Sequence, residues 1–101
     1  MSRTRIPMPE EALAKFCRRN HIQRLSLFGS VLRDDFTPDS DVDVLVEFEP
    51  GTPAGLLTLA RIEEELSELL GRKVDLNTAG LLSKYFRDEV LREAEVEYVA
   101  A

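Results

Sequence analysis

The sequence predicts an α/β domain, a sheet of about four strands with helices packed on it. Three observations predict it. Apolar and polar residues alternate over 22–28, 41–48 and 73–77, the two-residue period of strands. Apolar residues recur every three to four positions over 9–19 and 54–70, the helical period. The two kinds of segment take turns, giving the order α-β-α-β-α-β-α-β. The periods leave the strand order open. A chain of 101 residues suits one domain over 1–101 with one core.

The first helix is expected over 9–19. Pro9 and Glu10-Glu11 suit a first turn, where the dipole favours acids. Leu13, Phe16 and Cys17 form its apolar stripe, and Asn20 stops it. In the strand over 22–28, Leu25 and Leu27 alternate with Ser26 and Phe28, so both faces are partly apolar. Gly29-Ser30 turns the chain into a short helix over 31–34, and 36–40 carries strong turn chemistry. The strand over 41–48 points Val42, Val44 and Val46 one way, and Asp41, Asp43, Leu45 and Glu47 the other.

Pro50-Gly51 ends that strand, and Thr52 and Pro53 offer an N-cap and first turn. The helix over 54–70 buries Leu59, Ile62, Leu66 and Leu69, pairs Arg61 with Glu65, and closes at Gly71. In the strand over 73–77, Val74 and Leu76 face the core and Asp75 faces away. Ser83 caps a last helix to about residue 93 that buries Phe86, Val90 and Leu82. Val96 and Tyr98 alternate with Glu95 and Glu97 as an edge strand.

Composition narrows the function. Acidic residues outnumber basic ones 19 to 13, a net charge of −6, which argues against the basic stripe of a nucleic-acid surface. The charge fits a small-molecule or protein substrate, a basic partner, or solubility alone. One cysteine excludes an internal disulfide and a Cys-rich metal site. No apolar run approaches the roughly 20 residues of a membrane span. Residues 1–5 lack a following apolar segment, so a cytoplasmic protein is expected.

The chemistry sits in two places. Asp41 and Asp43 emerge on one face of a strand, their backbones roughly 6–7 Å apart by strand rise. Bare, they repel; a divalent cation relieves that repulsion, and magnesium suits oxygen ligands. Asp75 can join the same face and accept a hydroxyl proton as general base. Gly29 lets backbone approach an anion closely, and Ser30 offers a hydroxyl to phosphate. The amides of the following turn point the same way, and Arg33 lies one turn later as a phosphate partner. Phosphoryl and nucleotidyl transfer need mostly positioning and charge neutralisation, so this small set suffices.

Phe28-Gly29-Ser30, ten residues, then Asp41-Val42-Asp43-Val44 resembles the signature of the nucleotidyltransferase superfamily with the polymerase-beta-like palm. The spacing and the stretch LFGSVLRDDFTPDSDVDVLVEF resemble its minimal nucleotidyltransferase (MNT) subgroup, and the similarity runs from the first helix to Tyr98. The resemblance implies a polymerase-beta-like fold with a mixed sheet. It also implies an antitoxin of a HEPN–MNT toxin–antitoxin pair. Such a protein moves AMP from ATP to a tyrosine hydroxyl of a HEPN-domain ribonuclease, with Mg2+, silencing it. On this resemblance Asp41, Asp43 and Asp75 are metal ligands and catalytic acids, while Gly29, Ser30 and Arg33 hold the nucleotide phosphates.

Two alternatives stand beside that expectation. One is an antitoxin that only covers its partner, with apolar and acidic surface near the last helix. The other is a nucleotidyltransferase for a small molecule, against which the absence of an accessory domain counts. Cys17 is expected as core filler, His21 as a capping or surface residue, and Tyr85 and Tyr98 as packing residues. The Glu63-Glu64-Glu65 run is expected as a solvated helix face.

Overall fold

The computed structural model describes residues 8–32, 37, 39–81, 85 and 87–100. Its elements are α1 (Glu10–Arg19), β1 (Ile22–Phe28), a 3-10 turn (Gly29–Leu32), β2 (Val42–Phe48), α2 (Leu56–Leu70), β3 (Val74–Asn77), a second 3-10 turn (Ala79–Leu81), α3 (Arg87–Glu93) and β4 (Glu95–Val99). The strands form one mixed sheet in the order β3-β2-β1-β4. β1 runs antiparallel to both β2 and β4, and β3 runs parallel to β2. A parallel neighbour demands a crossover long enough to return the chain to the same end, and α2 supplies it.

One face of the sheet carries the core. Leu25 and Leu27 of β1, Val42, Val44 and Val46 of β2, and Val74 and Leu76 of β3 pack against Leu13, Phe16 and Cys17 of α1 and Ile62 and Leu66 of α2. Leu59 and Leu69 complete the α2 stripe as partly buried residues. The helical and strand periods read from the sequence thus meet on one surface. On the other face, Leu45 and Ser26 are buried opposite one another in register. Arg24 and Glu47 pair across the strands at 3.5 Å, an exposed contact that contributes little.

Element ends follow local chemistry. α1 stops where Asn20 places its side-chain amide on the Phe16 carbonyl, 3.0 Å away. His21 then adopts a left-handed backbone, φ +58°, with its imidazole exposed. Its N–H donates to the Arg18 carbonyl and its own carbonyl accepts from the Glu49 N–H at 2.9 Å. The corner therefore joins the helix end to the far end of β2. Gly71 closes α2 at φ +68°.

Several expectations are corrected. Thr52 does not cap α2, because its N–H donates to the Glu49 carbonyl (3.1 Å) and the chain is still turning there; Gly55 is the N-cap. The helix expected over 31–34 is a 3-10 turn beginning at Gly29, and residues 33–36 lie outside the described residues. α3 begins at Arg87 and buries none of its residues, with Val90 half-buried; Leu82, Ser83 and Phe86 lie outside the described residues. Tyr98 packs on the core as expected, but Tyr85 is 89% exposed. The glutamate run is not a uniformly solvated face. Only Glu64 is exposed, Glu65 receives Arg19 and Arg61 at 3.2 and 3.3 Å, and Glu63 reaches β3. No described helix is long and apolar enough to cross a membrane.

Cys17 is fully buried, and desolvation pushes its thiol from an ordinary 9.0 up to about 12, against a small opposing pull from the Arg18 charge. The unfolded chain releases this proton near pH 9 and the folded chain holds it to about pH 12. The stability that the neutral thiol contributes is whole below pH 9 and is lost as pH rises through 12. Alkylation at pH 8 is expected to leave Cys17 intact in native protein and to label it fully in urea. Labelling of the native protein at the unfolded rate would contradict its burial.

Candidate active site

β1 ends, and β2 and β3 begin, at one end of the sheet. This follows from the pairing directions, since β1 opposes β2 while β3 runs with it. The register sets Phe28 opposite Asp43 and Asp43 beside Asp75. Asp43 therefore occupies the centre of a three-strand row, with the β1 turn on one side and Asp75 on the other. Val42, Val44, Val74 and Leu76 turn to the core, so strand alternation sends Asp43 and Asp75 to the opposite face. Asp41 precedes β2 by one residue and is exposed on the same side of the strand start.

The Gly29 turn closes on Asp43. Gly29 has φ +76°, and a Cβ built on it would run into the Asp43 Oδ2 atom and lie 3.2 Å from Cγ. A glycine is required both by the backbone conformation and by the carboxylate packed against it. Val31, completely buried, anchors the turn in the core. The first amides of a 3-10 turn have no acceptor within the turn itself, a geometry suited to an anion.

Asp43 and Asp75 stand abreast in register and repel one another. Strand neighbours lie about 4.8 Å apart, and like charges directly abreast on a sheet are destabilising. Asp43 beside Asp75, with Asp41 two residues before Asp43, concentrates negative charge where strand propensity would favour β-branched residues. Lys73 Nζ lies 4.0 Å from Asp41 Oδ2; both side chains are well exposed, so the pair is loose. Lys73 stands two residues before Asp75 as Asp41 stands two before Asp43, so the parallel register brings these two together as well. That pairing is invisible until the register is known.

Among the described residues, no three His, Cys, Asp or Glu side chains gather into a metal-holding group. The donor set nevertheless fits magnesium, which is held by one or two carboxylates together with waters and substrate phosphates rather than by an all-protein cage. Asp41 and Asp43 supply those carboxylates beside a turn suited to phosphate. Arg33 and the Ser30 side chain lie outside the described parts of the site.

Sequence reasoning missed two contributors. Glu63 Oε2 accepts the Leu76 N–H at 2.8 Å, next to Asp75 in the chain. Arg72 donates to the Thr37 carbonyl at 2.8 Å, tying the segment before Asp41 to the start of β3. The first had a faint signal, since position 63 flanks the buried Ile62. The second had none, because the contact spans 35 residues.

A family model described as nucleotidyltransferase domain matches residues 10–99. The protein adenylyltransferase MntA of Thermococcus cleftensis is 42% identical over 72 residues, 71% of this chain and 71% of that protein. A solved structure, described provisionally as a minimal nucleotidyltransferase, superposes with a TM-score of 0.69 at 42% identity and covers 84% of this chain and 85% of that one. The same fold, at 22% identity and a TM-score of 0.65, occurs in a structure described as tri-AMPylated Shewanella oneidensis HEPN toxin in complex with MNT antitoxin; the match covers 90% of this chain and 70% of that one.

Proposed function

This chain belongs to the nucleotidyltransferase domain family, and from that premise we propose that it transfers AMP from ATP to a tyrosine hydroxyl of a cognate HEPN-domain ribonuclease, neutralising that toxin. The observation that carries this reading is the row formed by the Gly29 turn, Asp43 and Asp75 at one end of the sheet. The relative named protein adenylyltransferase supports the reaction, and the HEPN toxin complex of a same-fold protein supports the partner.

The turn at Gly29–Leu32 receives the triphosphate through its backbone amides, with Ser30 and Arg33 as further hydrogen-bond donors to phosphate. Asp41 and Asp43 would hold Mg2+, which when bound neutralises phosphate charge and polarises the α-phosphoryl group. Asp75 accepts the proton of the attacking tyrosine hydroxyl. The hydroxyl oxygen forms a bond to the α-phosphorus as the bond from that phosphorus to the α–β bridging oxygen breaks. Pyrophosphate leaves with the electron pair. Among the described residues Asp41 and Asp75 are exposed, so the modified protein itself can cover the reacting atoms. The site belongs in the cytoplasm, where ATP and the toxin meet.

Incubation with labelled ATP, magnesium and the HEPN protein encoded beside it is expected to place label on a tyrosine of that protein and release pyrophosphate. Neutralisation of the toxin with no label transferred would replace this reading with blocking by contact alone. Exposed Leu91, one turn from exposed Asp88 on α3, is a surface suited to that contact. Turnover on a small alcohol without any protein would point to a small-molecule substrate.

A further inference from the structure

β3 is an edge strand, and an edge leaves a row of N–H groups without strand partners. Two of these are met from α2. The Leu76 N–H donates to Glu63 Oε2 at 2.8 Å, and the Val74 N–H donates to Ser67 Oγ at 3.0 Å. The Ser67 hydroxyl in turn donates to the Glu63 carbonyl at 2.8 Å, which fixes its lone pair toward the strand. Residues four apart on a helix stand about 5–6 Å apart on one face, and alternate residues of a strand are spaced by roughly 6.6 Å. The two spacings match, so α2 supplies acceptors where a fifth strand would have supplied carbonyls. Asp75 lies between the two held residues, on the face away from α2.

We propose that Glu63, assisted by Ser67, is a positioning residue for Asp75. It holds the β3 edge at the height that sets the Asp75 carboxylate beside Asp43. The proposal rests on the reading of Asp75 as the proton acceptor of nucleotidyl transfer. A carboxylate is the strong choice for this hold, since a charged acceptor binds an amide more firmly than a neutral one. It is also a costly choice so near an acidic row, where a serine or threonine would add no further repulsion. A residue that only stabilised the fold would act on the whole sheet. The Glu63 contact acts on one amide, adjacent in the chain to the acid.

The test combines amide hydrogen exchange with transfer kinetics on the cognate HEPN protein. In Glu63→Ala the Leu76 amide is expected to exchange about 10-fold faster or more while the Val44 and Leu45 amides stay as in wild type. The kcat for AMP transfer is expected to fall about 10-fold with the KM for ATP unchanged, as when a group supporting a reactive carboxylate is removed. Glu63→Gln, which keeps an acceptor of the same reach, is expected to recover most of both. Where Glu63→Ala fails to fold, Glu63→Asp withdraws the carboxylate by one methylene and is expected to show the same two changes. An unchanged Leu76 amide, acceleration of all core amides together, or an unchanged kcat overturns the proposal. Asp75→Asn, run alongside, separates this inference from the reading beneath it. Transfer that survives in Asp75→Asn overturns the role of Asp75 itself. Transfer lost in Asp75→Asn but intact in Glu63→Ala overturns only the positioning role.

Discussion

Asp43→Asn is expected to lower AMP transfer by about 10³-fold, the scale seen when a group stabilising developing charge is removed from a preorganised site. The fold is expected to tolerate the change. Asn keeps the shape of the side chain beside Gly29 and Phe28, and it removes one of two carboxylates placed abreast in β2 and β3. Because the side-chain shape is kept, the change in stability is expected to stay within about 1 kcal/mol, the scale of cross-strand pairs. Activity is thus expected to fall far more than stability changes. Transfer of labelled AMP and thermal unfolding on the same preparation check this. A loss of activity that tracks a loss of melting temperature would make Asp43 an ordinary structural residue.

Gly29→Ala is expected to have the second largest effect, and for two separable reasons. The backbone there has φ +76°, where a side chain costs about 1–2 kcal/mol. The added methyl would also occupy the space of the Asp43 carboxylate, so that carboxylate must swing away from the turn. A displacement of about 1 Å at reacting groups costs on the order of 10²-fold in rate. The expected outcome is a loss of about 1–3 kcal/mol of stability by denaturant titration, with transfer reduced about 100-fold or more. Repeating the substitution in an Asp43→Ala background isolates the contact, because the steric share disappears there and only the backbone share remains. Equal costs in both backgrounds would show that Gly29 and Asp43 do not touch.

Much of this was legible in the sequence. Alternation at Val42, Val44 and Val46 and at Val74 and Leu76 fixes which face of each strand meets the helices, so it also fixes the side taken by Asp43 and Asp75. The motif from Phe28 to Val44 pointed to the enzyme class that the family match bears out. The mixed sheet agrees with the resemblance, whereas alternation alone left the strand order open. A period of two reports a face and not a neighbour, so nothing in residues 73–77 says that β3 lies beside β2 and in which register.

Two misreadings have different origins. Thr52 and Pro53 have the composition of a helix start, but the Thr52 amide is committed to the turn that ends β2. Glu63 belongs by composition to an acidic run, and its partner lies 13 residues further along the chain. The first was decided by a competing local turn and the second by a hydrogen bond outside the local window.

The shortness of β3 carries a consequence of its own. A four-residue border strand has one strand neighbour and sends only Val74 and Leu76 into the core, so it is expected to detach at a lower free energy than the central β1–β2 pair. Activity that depends on Asp75 is therefore expected to fail with that hem before the interior melts. Warming or mild denaturant is expected to silence AMP transfer while the β1–β2 amides stay protected, and cooling or dilution to restore it.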